Sequence, residues 1–576
     1  MPFVSKIAEL YKQYIHSGDQ GRSDYFGLIR ALVAQKNQYP PVDADATALQ
    51  REIDAVYELV RAEMVENHGP PVSPVKFGTS GWRGILGKDL FVKSVRQVTR
   101  AIIAMYEGLD DSPRLAEALG VTSLAEARQK GCVLGFDNRF GGELLARSVM
   151  DTLTSQGFTV HYTGEATTGT LSAAVIELKA ACSINLTPSH NPLDYGGIKF
   201  NAADAGPAAP LLTDWISNKA SEIIRADQVI DLTPDDSRVS PCDALATWIS
   251  LVRKNKERHG LDYDRIIAWF ETDEDLVVVV DCVHGASRNH IRRLFNNTGS
   301  DRLIILRGEA DPTFGGIAPE PSSTNMQKVH QVLKDRPERL KLGVIMDPDA
   351  DRIRFTDGTT EISMNHFGAL AYHHLHENKK KQGMVAKSVA TSNFANALAE
   401  AFGEEIFEPR VGFKEFRPVI HSALVCFEES DGITLIGHTP EKDAYIGLIL
   451  ALDMMEQRRQ NLGDYLREVE ALYGGYFPDR DGVTVRKQGA ELVAALNLLS
   501  RYGAGDLINV GYEQRLIKTV IDIDGRKIIF ADGSWIMIRP SGTEPKVRFY
   551  VEARTREGKE ALFASARTML TDIGLL

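Results

Sequence analysis

Three loops of this chain carry residue types and spacings suited to chemistry on a charged group. The first follows the run ACSINLT and reads Thr187-Pro188-Ser189-His190-Asn191-Pro192. A serine bracketed by prolines sits in a stiff turn that can present its Oγ, although the same residues also make an ordinary turn. His190 can assist that hydroxyl or simply bond a backbone carbonyl. The flanks lack the G-x-S-x-G elbow of serine hydrolases. Ten residues on, Lys199 in GGIKFN is a candidate base, if desolvation lowers its pKa, or a charge clamp.

The second loop follows KLGVIMD and reads Asp347-Pro348-Asp349-Ala350-Asp351-Arg352. Alternating carboxylates offer hard oxygen ligands suited to Mg²⁺. An EF-hand is excluded, because its positions six and twelve need Gly and Glu and are Arg352 and Gly358 here. A solvated acidic turn is the competing reading, weakened by the mutual repulsion of three aspartates after a buried-type strand. The third loop, Arg539-Pro540-Ser541-Gly542-Thr543-Glu544-Pro545-Lys546, combines an arginine fork, two hydroxyls and a glycine that admits a ligand to the backbone. That composition suits a phosphate cradle or, taken alone, a hairpin turn with charged flanks. Two further loops are Phe77–Gly84, which holds Thr79, Ser80 and Arg83 without the lysine and spacing of a Walker loop, and Glu428-Glu429-Ser430 after the run VCF, which can bond sugar hydroxyls or simply be a solvated charged loop.

The elements that must position these loops alternate. GCVLGF, ACSINLT, DLVVVVD, LIILRG, LGVIMD and VCFEES are strand-like, and SLAEARQK, ELLARSVMDTLTSQ, RNHIRRLFNN and TNMQKVHQVLK are helix-like between them. Such alternation predicts βαβ units, whose ligands lie beyond the carboxyl ends of the strands. The last stretch, from TVIDIDGRKIIF to EGKEALFASARTML, predicts a strand-rich domain closed by a helix. Residues 1–70 predict helix, broken by HGPPVSPVKFG.

Bulk composition agrees. At roughly 150 residues per domain, 576 residues suggest about four. A net charge of −12 argues against nucleic-acid binding, which needs a basic footprint. No apolar run reaches the length of a membrane span, and the first residues lack a signal peptide's apolar region. Five scattered cysteines without CxxC spacing predict neither a disulfide framework nor a zinc site, and a reducing, cytoplasmic setting.

In order along the chain, FGTSGWRG, TPSHNP, DPDADR, the E-x-S loop and RPSGTEPK resemble the α-D-phosphohexomutase family. GFDNR at 135–139, DPTFGG and APEP at 311–321, VGFK at 411–414 and EKD at 441–443 add to the likeness, which spans about 75–576. The resemblance implies an α/β fold: three α/β domains with mixed, mostly parallel sheets plus a C-terminal α+β domain around a central cleft. The divisions it suggests are a helical extension at 1–74, domains at 75–222, 223–338 and 339–462, and the C-terminal domain at 463–576. It implies that Ser189 is the phosphoserine, that Asp347, Asp349, Asp351 and a phosphoserine oxygen hold Mg²⁺, and that Arg83 and Lys199 assist proton transfer near His190 and Arg352. Thr79, Ser80, Lys414, Glu428, Ser430, Arg539, Ser541, Gly542 and Thr543 are the implied substrate contacts. The motifs resemble phosphoglucomutases most, which implies exchange of glucose 1-phosphate and glucose 6-phosphate through glucose 1,6-bisphosphate, by a monomer or homodimer. The alternatives are a phosphomannomutase or dual-specificity enzyme, a non-catalytic sugar-phosphate binder, and a metal-dependent phosphohydrolase. Two departures stand out: Gly432 follows Asp431 where some relatives place His, and Thr167-Thr168-Gly169-Thr170 replaces a proline-flanked threonine loop.

Overall fold

The computed structural model describes residues 3–16, 22–78, 81–541 and 546–576. The six strand-like runs all form strands. They fall in three of the four sheets among the described residues, and the architecture is four-domain α/β with mixed sheets. By its contacts the chain divides into two compact units. One holds Met1–Glu257, Leu261–Arg354 and His438–Ile449; the other holds Arg258–Gly260, Phe355–Gly437 and Leu450–Leu576.

In the first unit, one sheet runs in the order Trp82–Ile85, Tyr195–Ala202, Cys182–Leu186, Cys132–Phe136, Val160–Glu165, Val239–Pro241. The last four pair in parallel. Tyr195–Ala202 is antiparallel to both its neighbours. The loop from Thr187 to Asp194 is too short for a parallel crossover, so the chain must return as a hairpin. That return sets Lys199 opposite Asn185. Elsewhere in this unit Leu276–Asp281, buried along its whole length, is flanked in parallel by Leu303–Leu306 and Leu340–Met346. Burial on both faces explains its unbroken apolar run. The run RNHIRRLFNN yields only the short helix Ile291–Leu294 after a 3₁₀ turn.

The N-terminal stretch is three helices, Phe3–Tyr14, Tyr25–Lys36 and Ala44–Glu66. Asp24 and Asp43 cap the second and third through their side chains. Leu28, Ile29, Leu32, Val56 and Val60 join one core with Val95, Val98 and Ile102, so the extension is part of the first domain's interior. No helix among the described residues is long and apolar enough to cross a membrane, and the five cysteines are free thiols.

In the second unit, Ile406–Phe407, Val385–Lys387, Val425–Glu428 and Gly432–Leu435 form a sheet closed by an antiparallel hairpin. The C-terminal sheet is antiparallel throughout. The helix Gly558–Asp572 buries Leu562, Ala566, Met569 and Leu570 in that domain's core. Two fully buried lysines join the two sheets. Lys387 Nζ lies 3.1 Å and Lys527 Nζ 3.2 Å from Glu408, and Lys527 also sits 4.3 Å over the Trp535 ring. Burial and the neighbouring Lys387 bring the Lys527 ammonium down to about 7, against the pull of Glu408.

The unfolded chain keeps the Lys527 proton to about pH 10.4, whereas the folded chain releases it near 7. Between those values the unfolded state binds more protons, so stability rises with pH, by about 1.4 kcal/mol per unit for this one group. Denaturant unfolding of wild type and Lys527→Met, compared from neutral pH to about pH 10, should show the wild type gaining on the variant over that interval. Parallel pH responses would refute the depressed lysine.

Candidate functional site

Ser189 occupies a turn built against the strand Cys182–Leu186, with a left-handed backbone, φ 56°. A non-glycine residue there is strained and must be held. Thr187 Oγ1 accepts from the Ser189 amide at 2.9 Å and donates to Asp137 Oδ2 at 2.7 Å. Asp137 Oδ1 in turn accepts from the Arg139 amide at 3.0 Å. The Arg139 guanidinium donates to the Ser189 carbonyl at 2.7 Å and also to those of Asn191 and Pro192. Its outer face stacks on Phe314, 4.7 Å from the ring centroid. Burial lifts the Asp137 carboxyl to about 7, against the pull of Arg139 and Thr187. The next strand passes so close that a Cβ at Gly197 would strike the Thr187 carbonyl.

The aspartate loop meets this turn. Ser189 Oγ donates to Asp347 Oδ2 at 2.7 Å, and Asp347 Oδ1 accepts from the amides of Asp351 and Arg352. Lys199 Nζ bridges Asp349 Oδ2 at 2.5 Å and Asp351 Oδ2 at 2.8 Å. Thr168 Oγ1 donates to Asp349 Oδ2 at 2.6 Å and accepts from Asn185 Nδ2 at 3.0 Å. Lys442, from the EKD segment, lies 3.3 Å from Asp351 Oδ2. All three aspartates are buried, which removes the reading of a solvated acidic turn. Ala350 is left-handed as well, φ 48°.

The donor set fits a hard divalent cation such as Mg²⁺. One ligand oxygen from each aspartate falls within 4.8 Å of the others, and Asp349 Oδ1 and Asp351 Oδ1 are buried without a hydrogen bond. Electrostatics divides the three. Burial and the other two carboxylates hold Asp347 well above the usual range. Burial also works to raise Asp351, but Lys199, Lys442 and Arg352 together hold it far below. Burial would lower Lys199, yet Asp349 and Asp351 more than offset it, so its pKa is raised and it is an ammonium. The Arg352 charge and burial hold His190 well below its usual value, so the ring is neutral at pH 7; its Nδ1 is 3.3 Å from Ser189 Oγ. Arg83, on the strand Trp82–Ile85, donates to Asn191 Oδ1 at 2.6 Å.

The first unit thus brings together Arg83, Ser189, His190, Lys199, Asp347, Asp349, Asp351 and Arg352. The second unit carries Lys414, Glu428, Ser430, Arg539 and Ser541. There, Glu428 Oε1 accepts from the Gly412 amide at 2.7 Å in the VGFK loop. Asp524 Oδ2 ties the Val411 amide, at 3.1 Å, to Arg539 Nε, at 3.2 Å. Ser541 N donates to the Lys546 carbonyl at 2.8 Å. Thr79, Ser80, Gly542 and Thr543 lie outside the described residues. Sequence reasoning passed over Asp137, Arg139, Thr168 and Lys442 as actors, though GFDNR, the 167–170 loop and EKD each marked their segments.

Arg139→Lys keeps a cation beside Asp137 but loses the planar fork to three carbonyls. Hydrogen exchange at the Ser189 and Asn191 amides should rise at least about tenfold relative to wild type, because the strained turn then opens locally. Unchanged exchange would show that Arg139 does not hold the turn.

Models of the phosphoglucomutase/phosphomannomutase family match alpha/beta/alpha domain I at 112–226, domain II at 263–360, domain III at 363–473 and the C-terminal domain at 483–568. Phosphoglucomutase 1 of Drosophila melanogaster is 25% identical over 493 residues, 77% of this chain and 87% of that protein. The phosphoglucosamine/phosphogalactosamine mutase of Sulfurisphaera tokodaii is 24% identical over 494 residues, 83% and 95% of the two chains. The solved structure of parafusin from Paramecium, a phosphoglucomutase in its open form, superposes with a TM-score of 0.67 at 20% identity, covering 88% of this chain and 96% of that one. The chain belongs to the phosphoglucomutase/phosphomannomutase family, the α-D-phosphohexomutases, and is an enzyme of its isomerase and phosphotransferase class.

Proposed function

We propose that this enzyme interconverts α-D-glucose 1-phosphate and glucose 6-phosphate, with phospho-Ser189 as donor and glucose 1,6-bisphosphate as the intermediate. The observation that carries the reading is the buried contact of Ser189 Oγ with Asp347, beside two aspartates already clamped by Lys199. Glucose is favoured by the match to phosphoglucomutase 1 over most of its length. A phosphohexosamine substrate is the second reading, favoured by the comparable match to the S. tokodaii mutase.

In the first half-reaction, a free hydroxyl of glucose 1-phosphate attacks the phosphoryl group. The Oγ–P bond breaks as the new O–P bond forms; the hydroxyl proton passes to a base, and a proton is returned to Ser189 Oγ, which leaves as the free hydroxyl. The bisphosphate turns round and the reverse transfer restores phospho-Ser189. Phosphoryl transfer depends on positioning and charge neutralisation. Lys199 serves as a fixed cation here, and Arg83 and Arg352 add positive charge beside the reacting oxygens. His190, neutral and next to Oγ, offers a ring nitrogen that can accept a proton. Asp347, Asp349, Asp351 and a phosphoserine oxygen would hold Mg²⁺, which when bound supplies Lewis-acid neutralisation of the transferring group. Arg539 and Ser541, with Gly542 and Thr543, are assigned to the phosphate that does not react, and Lys414, Glu428 and Ser430 to the sugar.

A coupled assay for glucose 6-phosphate, with and without glucose 1,6-bisphosphate, tests this reading. We expect turnover that needs catalytic bisphosphate, and one phosphoryl addition in the intact mass that disappears in Ser189→Ala together with activity. Activity in folded Ser189→Ala would end the phosphoserine assignment. A higher kcat/KM on glucosamine 1-phosphate or mannose 1-phosphate than on glucose 1-phosphate would overturn the sugar. Asp349→Asn should weaken activation by Mg²⁺ at least about tenfold, with circular dichroism confirming the fold. A normal Mg²⁺ titration in that variant would place the metal elsewhere.

A further inference from the structure

Beyond the carboxyl ends of Leu276–Asp281 and Leu303–Leu306 lies a cavity of about 690 Å³, within the size range of small-molecule sites. His284, Arg288, Arg292, Arg307 and Lys328 line it, and Glu309 is the one acidic group in the lining. None of the groups assigned above to phosphoryl transfer or sugar binding is among these residues.

The arginines are mounted in advance. Arg288 forks onto Glu165 and Arg307 onto Asp281, and their side chains are only 11% and 10% exposed. Those carboxylates fix each guanidinium while leaving Arg288 Nε and Arg307 Nη1 without a hydrogen bond among the described residues. Arg292 and Lys328 are exposed and add two cations that form no ion pair among the described residues. Glu165, Asp281 and Glu309 offset three of the four cations, so the concave site keeps one net positive charge, presented by the exposed Arg292 and Lys328, on a chain whose net charge is −12.

The wall is also strained. His284, Arg307 and Phe314 have φ of 58°, 44° and 54°, and Val283, a β-branched residue, has φ 46°. Val283 adjoins the lining and the other three belong to it, and left-handed non-glycine residues gathered at one site occur in ligand clamps. The same segment reaches the aspartate loop. Ala286 N donates to the Pro348 carbonyl at 2.8 Å, and a Cβ on Gly285 would come within 2.6 Å of Pro348 Cα.

We propose that this cavity binds a small diphosphate or bisphosphate metabolite, and that its occupancy stiffens residues 283–288 where they abut Pro348. Such a ligand presents two charge centres, one for the mounted Arg288 and Arg307 and one for Arg292 and Lys328. The site is separate from the proposed transfer site, and its test uses no turnover, so its failure leaves the mutase reading intact.

The test is calorimetric titration with inorganic pyrophosphate in metal-free buffer, followed by hydrogen exchange of the saturated protein. Arg292→Ala/Lys328→Ala should fold normally, since both side chains are exposed, and should bind pyrophosphate at least about tenfold more weakly, as expected from losing charge-assisted contacts. Arg539→Ala, which removes the candidate phosphate contact in the second unit, should bind it as wild type does. Slower exchange should appear at 283–288. No binding by the wild type, equal affinity in the double variant, lost affinity in Arg539→Ala, or protection at 187–192 with none at 283–288 would each overturn the proposal.

Discussion

The Lys199 ammonium holds two buried aspartates apart from each other's repulsion, and the first unit is arranged around that contact. Three carboxylates removed from water cannot remain charged side by side without compensation. The compensation comes from four directions. The antiparallel strand Tyr195–Ala202 delivers Lys199, the helix Thr168–Leu178 delivers the Thr168 hydroxyl, the backbone of the aspartate loop caps Asp347 with its own amides, and the EKD segment delivers Lys442. Part of the negative charge is left over: two carboxylate oxygens remain buried without hydrogen bonds. That residue of unmet potential makes the cluster a candidate cation site instead of a closed salt-bridge network.

Strain is the second common thread. Ser189, Ala350 and Asp431 are each left-handed at a loop of the candidate site. Side chains do not favour that backbone, so each position persists only because its surroundings insist on it. At Ser189 the insistence is visible: Thr187 fixes the amide, Arg139 fixes the carbonyl, and Asp137 joins the two. The hydroxyl is therefore aimed by contacts behind the turn, leaving its own oxygen for Asp347.

Much of this was legible in the sequence, for identifiable reasons. Short apolar runs ended by Asp, Pro or Gly gave away the strands, and the loops after them gave away Ser189 and the aspartates. The strand carrying Lys199 was harder to read, because GGIKFN mixes two glycines with a lysine and has no clean period. The role of Lys199 stayed open between base and clamp, since its pKa depends on carboxylates that are 150 and 152 residues away in sequence. Arg139 was hidden for a related reason: nothing local says that its fork will close on carbonyls 50 and 52 residues ahead. The first helices were readable as helices, but an amphipathic face does not name its partner, and their membership of the first domain's core emerges only in three dimensions.

The placement of His438–Ile449 has a consequence for how the gene could be divided. That segment belongs to the first unit although the stretches before and after it belong to the second, and it carries Lys442 to Asp351. No single truncation isolates the first unit with its full set of charges, and excising the second unit whole would require 257 to be joined to 261 as well as 354 to 438. The two units are thus inherited as an interleaved pair. A recombination event that exchanged one of them between relatives would have to cut the gene at several points in register, which favours change by substitution inside each unit over the swapping of modules.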